Sequence, residues 1–456
     1  MNQLSLRGVL NLQRPEMVSF YGAGGKTSLI NRLAEEISAS GKNVLITTTT
    51  KIFMPPGIPL IIEDNTDRIL DMLDRHYSHS RVAVLAAEIL PSGKLKGIAP
   101  RIAEEIHKKL NITVLVEADG ARRLPLKGYQ SCEPVIPEKS DLIVPVIGAD
   151  ALGKNLDSHT VHRANELAKS IGVVKGALIT EEIMGQIFKY LTVIGRRQAG
   201  GAKVVPVINK GDLLTAPGKT AWQVADKMDP EEGSETILVT AALNEHPVKV
   251  VLNLRDGRPE IKITCALLAA GASSRMGRDK LLLPFGKKTI LEHTIEQIDR
   301  SGIGDVIIVA RPDQLLLDLL TSTRHRFVIN EDYRSGIASS LKTGIEAVDS
   351  SMQGILFALA DQPLIPPSVY RQIIEGYSKN FKPVTCPVYK GRRGNPVLFD
   401  RSTWPSLMKL QGDVGGREII NTLSPDKMDC QIVDTESVLQ DIDTSEDYRN
   451  LFNLTE

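Results

Sequence analysis

Cysteine is scarce in this chain of 456 residues: Cys132, Cys265, Cys386 and Cys430 stand far apart, with no CxxC pair. That spacing excludes a disulfide scaffold and a sequence-local zinc site, and it predicts buried small hydrophobes at these positions. Aromatic residues are few, at 4%. Net charge is absent because 55 basic side chains balance 55 acidic ones, so neither nucleic acid nor an anionic membrane is expected as a partner. Long apolar runs are missing too. Nothing approaches the roughly 18 residues of a spanning helix, and the start, MNQLSLRGVLNLQRPE, has no secretory h-region, so a cytoplasmic protein is expected.

What is present is ordinary globular composition, 42% hydrophobic and 24% charged. The length predicts two or three domains at about 150 residues each. The most organised stretch is Leu267 to Gly286, LLAAGASSRMGRDKLLLPFG. Ile263 to Ala270 reads as a buried parallel strand, and Gly271, Ser273, Ser274 and Gly277 let the following backbone close around an anion. Arg275 and Lys280 supply cation. A loop at the carboxyl end of a strand is where open α/β sheets bind ligands, because free N–H groups converge there.

Downstream, helix and strand alternate: Leu291, Ile295 and Ile298 share a helical face, Asp305 to Ala310 is a strand, Leu315 to Leu320 a helix, Phe327 to Asn330 a strand. Ala338 to Val348, Gly354 to Ala360, Ser368 to Tyr377 and Pro383 to Val388 continue the alternation, which predicts an α/β three-layer sandwich with a mostly parallel sheet. Strand Gly354 to Ala360 delivers Asp361 at its carboxyl end, where a carboxylate suits a hard cation.

The first half opens the same way. Met17 to Tyr21 reads as a strand, GAGGKTS from Gly22 to Ser28 as a loop, and Leu29, Ile30, Leu33 and Ile37 as a helix. Gly22, Gly24 and Gly25 with Lys26 and Thr27 match the end of a Walker A phosphate loop, in which Lys26 reaches β/γ oxygens and Thr27 ligates magnesium. Phe20 stands where the usual pattern has its first glycine. Ile112 to Val116 runs into Glu117 and Asp119, which can hold magnesium or its water as Walker B does. Val204 to Ile208 runs into Asn209, Lys210 and Asp212, which resembles the NKxD base-reading element of guanine nucleotide hydrolases. Arg122, Arg123 and Lys127, in EADGARRLPLKGY, could sense an anion near this loop.

These motifs carry two resemblances. GAGGKT, TTTTK from Thr47, EADGARRLP and NKGD resemble the YqeC-type accessory proteins associated with selenium-dependent molybdenum hydroxylases. The spacing of Arg275, Gly277, Lys280 and Pro284 resembles the MocA-type molybdenum cofactor cytidylyltransferases. The second resemblance implies CMP transfer from CTP to molybdopterin, with Mg2+ on Asp361 and on Asp443 of DIDTSEDY, where Ser445 replaces the family's proline. Asp-Thr-Ser-Glu is also a good helix start, with Thr444 or Ser445 as the cap.

By the same resemblance, Leu268, Ala269, Ala270, Gly271, Ser273, Gly336 and Ser340 bind the nucleotide. Ala270 stands where related guanylyltransferases have glycine, which favours CTP. Arg393, Asn395, Asp413 and Arg417 face the acceptor, and Asn395 replaces the family's histidine. The implied architecture is a P-loop-like domain over 1–255, a linker at 256–262 and a nucleotidyltransferase domain over 263–456. ATP or GTP at the first domain and a molybdenum hydroxylase client complete the expected partners. The alternatives are a nucleotidyltransferase for another phosphorylated acceptor and a non-catalytic cofactor carrier.

Overall fold

The computed structural model of the protein describes residues 5–55, 57–228, 234–255, 258–271 and 279–452. The chain divides into two units, Met1–Glu260 and Ile261–Glu456.

The first unit is built on an eleven-stranded sheet. Met17–Gly22 runs parallel to Leu142–Gly148 on one side and to Thr113–Glu117 on the other. Val44–Thr48, Val82–Ala86 and Leu60–Ile62 extend the sheet beyond Thr113–Glu117, all parallel. Val207–Asn209 and Thr236–Thr240 extend it the other way, also parallel. Every residue of Met17–Gly22 and Leu142–Gly148 is buried, as a strand covered on both faces requires. Helix Lys26–Ala39 carries the chain from the middle strand to Val44–Thr48, whereas Leu142–Gly148 lies on the opposite side. That reversal opens a crevice at the carboxyl ends of these strands.

The sheet closes with two antiparallel strands, Val248–Arg255 and Arg258–Glu260. Residues 258–260, read above as linker, therefore belong to the first unit's sheet. Their pairing covers the end of that strand's open edge, at Asn253, Leu254 and Arg255.

In the second unit, Arg326–Ile329, Asp305–Ala310, Ile263–Ala269 and Gly354–Leu359 are neighbours and parallel. Val397–Asp400 joins antiparallel, then Val384–Tyr389, which pairs parallel with Met428–Ile432. Helices Ile290–Ser301, Gln314–Thr321, Ile337–Ala347 and Pro367–Asn380 form where apolar periodicity predicts them. Each unit is thus α/β with a mostly parallel sheet. Among the described residues no helix is long and apolar enough to cross a membrane.

The cysteine expectation needs correction. Cys265 and Cys386 are buried, but Cys132 and Cys430 are exposed. Cys430 lies on Met428–Ile432, a strand with no fully buried residue, and so no core surrounds it.

Candidate functional sites

In the first unit the loop after Met17–Gly22 is held tightly from behind. Gly22, Gly24 and Gly25 all have positive φ, at 99°, 78° and 107°. A Cβ on Gly22 would run into Val146 and one on Gly24 into Gly148, so the glycines permit both the turn and the close approach. A Cβ on Gly25 would lie 2.6 Å from the Asn209 amide nitrogen. Asn209 Nδ2 donates to the Gly24 carbonyl oxygen at 2.9 Å, while its Oδ1 accepts from Thr240 Oγ1 and from the Ala242 amide. Asn209 is 3% exposed and buttresses the loop with both ends of its amide, which leaves it nothing with which to read a base. Lys210 pairs with Asp150 at 2.8 Å, and Asp212 is exposed on the following turn.

Below the loop, four charged groups meet. Lys26 Nζ donates to the Gly22 carbonyl oxygen at 2.8 Å and lies 3.1 Å from Asp119 and 3.8 Å from Glu117. Thr27 Oγ1 donates to Glu117 at 2.9 Å. Asp119 is fully buried, bonded by the Tyr129 hydroxyl and paired with Lys127 at 3.2 Å. Burial raises its pKa, but Lys26 and Lys127 outweigh burial and hold the carboxyl below its ordinary value. For Glu117 burial wins over Lys26 and Thr27, so its carboxyl sits above the ordinary value.

Asp119 was expected to hold metal; it is instead locked in ion pairs, and of the two Glu117 lines the open cleft. Lys127, expected to sense an anion, is buried between Asp119 and Glu133, 2.7 Å from the latter. Arg122 and Arg123 do face the cleft, whose volume is about 950 Å³. Sequence pattern missed Lys127 as a structural charge and Tyr129 as a hydrogen-bond donor to Asp119, because their contacts are set by tertiary packing.

In the second unit, strand Ile263–Ala269 is buried throughout and Ala270 with it, while Gly271 is exposed. Ser273 and Arg275 lie outside the described residues. Lys280 sits on a short 3-10 turn opened by Asp279, whose side chain accepts from the Leu281 amide. Its Nζ lies 2.6 Å from Asp361 and 2.7 Å from Asp443. Burial lowers the ammonium pKa, but the two carboxylates outweigh it and raise the group above ordinary lysine.

Asp361 ends strand Gly354–Leu359 one residue on from Ala360, and it is pinned from two sides. Thr294 Oγ1 donates to the Ala360 carbonyl at 3.0 Å, and the Ile442 amide donates to the Asp361 carbonyl at 3.1 Å. The second bond delivers Asp443 to the same place. Thr444 then caps helix Ser445–Phe452: its hydroxyl accepts from the Asp447 amide at 3.1 Å, and Asp447 accepts in return from Thr444 and from the Asp443 amide. The cap leaves the Asp443 carboxylate directed at Lys280. Asp441 lies beside Asp361 and Asp443, and partial desolvation together with their charges raises its carboxyl above the ordinary value.

The two carboxylates are hard oxygen donors converging on one cation, and such a pair suits Mg2+, which takes one or two carboxylates and fills its shell with water and substrate phosphate. Lys280 stands between them, so it cannot be described as a bare phosphate hook.

Gly336, at φ 107°, abuts the Gly412–Asp413 backbone, where a Cβ would collide. Ser340 is buried and accepts from Asn330 Nδ2 at 3.0 Å, so its hydroxyl braces the turn instead of facing a ligand. Arg393, Asp413 and Arg417 are exposed, and the Asn395 amide donates to the Val438 carbonyl at 2.9 Å.

One residue escaped the sequence reading. Arg311, directly after strand Asp305–Ala310, is 7% exposed, donates to the Gly271 carbonyl and pairs with Asp279. A charged residue stepping off an apolar strand that neighbours the loop strand is the signal that could have found it.

Residues 18–165 match the YqeC protein family, and residues 265–428 match the MobA-like NTP transferase domain. The uncharacterized protein YqeC of Escherichia coli (strain K12) is 33% identical over 197 residues, which span 42% of this chain and 73% of that protein. The molybdenum cofactor cytidylyltransferase of the same organism is 26% identical over 187 residues, covering 41% of this chain and 93% of that one. A "Probable molybdenum cofactor guanylyltransferase" of Carboxydothermus hydrogenoformans is 31% identical over 148 residues, 32% of this chain and 70% of its own length.

Proposed function

The chain belongs to the YqeC family through its first unit and to the MobA-like NTP transferases through its second, and from that premise we propose that the second unit transfers CMP from CTP to molybdopterin. The products are molybdopterin cytosine dinucleotide and pyrophosphate, formed in the cytoplasm. The observation that carries this reading is the convergence of Asp361 and Asp443 on Lys280 beside the loop strand.

In this reaction an acceptor phosphate oxygen bonds to the α-phosphorus of CTP while the bond from that phosphorus to the β-phosphate oxygen breaks. The acceptor is already an anion, so no general base is needed and charge repulsion is the obstacle. Asp361 and Asp443 would hold Mg2+, which when bound supplies positive charge against the triphosphate. Lys280 adds charge to the departing pyrophosphate, and Arg275 does the same from the loop. Arg393 and Arg417 grip the acceptor, with Asn395 and Asp413 beside them. The Ala270 methyl in place of glycine supports cytosine over guanine.

The first unit acts as a P-loop accessory domain that binds ATP or GTP and serves a molybdenum hydroxylase client. Its support is the glycine loop over a cationic cleft, with Thr27 and Glu117 as the magnesium side. Magnesium-dependent pyrophosphate release with molybdopterin, offered CTP and GTP separately, tests the transferase. Release with CTP that disappears in Asp361→Ala is expected; release with neither nucleotide would overturn the acceptor assignment.

A further inference from the structure

The cleft in the first unit extends to both sides of the phosphate loop, and the two sides differ. Thr27 donates to Glu117 at the end of strand Thr113–Glu117, which lies between the loop strand Met17–Gly22 and Val44–Thr48. In a phosphate loop the Thr hydroxyl and the acidic strand end hold magnesium between the β- and γ-phosphates. The γ end of a bound triphosphate is therefore on the Glu117 flank. Its nucleoside extends the other way, toward Lys210, which lines the cleft beyond Leu142–Gly148.

Beyond Glu117, strand Val44–Thr48 continues through Thr49 and Thr50 into Lys51–Phe53, which pairs antiparallel with Lys94–Lys96 and makes a wall of the cleft. A Cβ on Gly97 would collide with the Thr48 carbonyl oxygen, so this wall is seated tightly on the strand end. Phe53 on the wall is 54% exposed, with Lys94 Nζ 4.8 Å and the Arg123 guanidinium 5.3 Å from its ring. Arg122 and Arg123 are the central residues of a turn closed by the Leu124 amide on the Ala121 carbonyl at 3.0 Å, and both have positive φ, 51° and 63°. Turns of that kind usually take glycine or asparagine. Holding two arginines there costs backbone strain, which clusters at ligand sites.

Seven Lys and Arg side chains line the cleft against Glu117 and Glu133. Lys26 is taken by Asp119, Lys96 by Glu88 at 3.2 Å and Lys210 by Asp150, while Glu133 is taken by Lys127 and Arg163. Lys51, Lys94, Arg122 and Arg123 remain, and among the described residues none of them pairs with a carboxylate. All four belong to the segments on the Glu117 flank. An exposed aromatic among such charges suits a planar ring that carries an anionic group. It lies past the γ end, where no part of the nucleotide remains to fill it. We propose that the first unit takes a second ligand alongside its nucleotide: a phosphorylated planar heterocycle, with its ring on Phe53 and its phosphate at Lys94, Arg122 and Arg123. The placement beside the γ end rests on the phosphate-loop reading above; the aromatic subsite does not.

The experiment is titration of the full chain with flavin mononucleotide, read by flavin fluorescence, with and without saturating AMP-PNP and magnesium. Riboflavin supplies the same ring without the phosphate, and calorimetry reads AMP-PNP. Flavin mononucleotide is expected to bind the AMP-PNP complex without displacing AMP-PNP. Phe53→Ala and Arg123→Ala should each weaken it about fivefold or more, with AMP-PNP changed less than about twofold. Riboflavin should bind more weakly and respond to Phe53→Ala alone. Both substituted side chains are exposed, so neither variant threatens the fold. Flavin mononucleotide that fails to bind, or binds parent and both variants equally, overturns the proposal. So does competition between it and AMP-PNP with both weakened by Phe53→Ala, which would put the nucleotide's own base on that ring. Flavin binding that depends on Phe53, while AMP-PNP binds Thr27→Ala as tightly as the parent, keeps the aromatic subsite and removes the phosphate-loop reading.

Discussion

Arg311 donates from Nη1 to the carbonyl oxygen of Gly271 at 2.7 Å. Its other nitrogen pairs with Asp279, so one guanidinium ties together the two residues that flank the signature stretch 272–278. Arg311→Met should cost about 2 kcal/mol of stability by removing one charge-assisted partner of a partly buried carboxylate. It should also raise KM for the nucleotide, because Gly271, just beyond the carboxyl end of strand Ile263–Ala269, loses its anchor. Thermal denaturation and steady-state kinetics read the two effects separately, and an unchanged KM would remove the positioning role.

Lys280 and its two carboxylates should behave as one unit. Asp361→Ala and Lys280→Ala are each expected to lower kcat about a hundredfold, in line with loss of one electrostatic contact at a transferring phosphoryl group. The double variant should be little slower than either single one. Multiplicative losses in that cycle would mean that the lysine and the carboxylate serve separate steps.

Asn209 separates bracing from base recognition. Asn209→Ala removes three buried hydrogen bonds at once and is expected to destabilise the first unit by about 2 kcal/mol or more. Asp212→Ala should change neither stability nor the preference between ATP and GTP. A switch in that preference with Asp212→Ala would restore the base-reading role that the structure gives no sign of.

Asp119 sets an acid limit on the first unit. Its folded pKa lies below the ordinary 3.8, because Lys26 and Lys127 overcome burial. The stabilisation is therefore present above that value and lost as pH falls through the lower folded value. Urea unfolding between pH 3 and pH 7 should show Asp119→Asn less stable at neutral pH and flatter on the acid side. Parallel curves for variant and parent would exclude Asp119 as the titrating group.

Local sequence was enough for both loop strands and for the helix that follows the first loop. An apolar run ending in glycines predicts strand and anion loop from backbone sterics alone, and both loop strands form where that pattern places them. A helix start capped by Thr444 or Ser445 was equally legible, since a cap needs only its own next three residues, and the structure selects Thr444.

What tertiary structure decided is which charges meet. Asp361 and Asp443 come together through a backbone bond from Ile442 to Asp361, an encounter that no local pattern encodes. Asp119 and Glu117 look alike in sequence, yet one is neutralised by buried lysines and the other faces the cleft. Ser340 and Asn209 read as ligand contacts because their types suit polar ligands; packing turned both inward to satisfy buried backbone and amide groups. Electrostatic partners are chosen by distance in space, and distance in space is what a linear pattern of residue types leaves open.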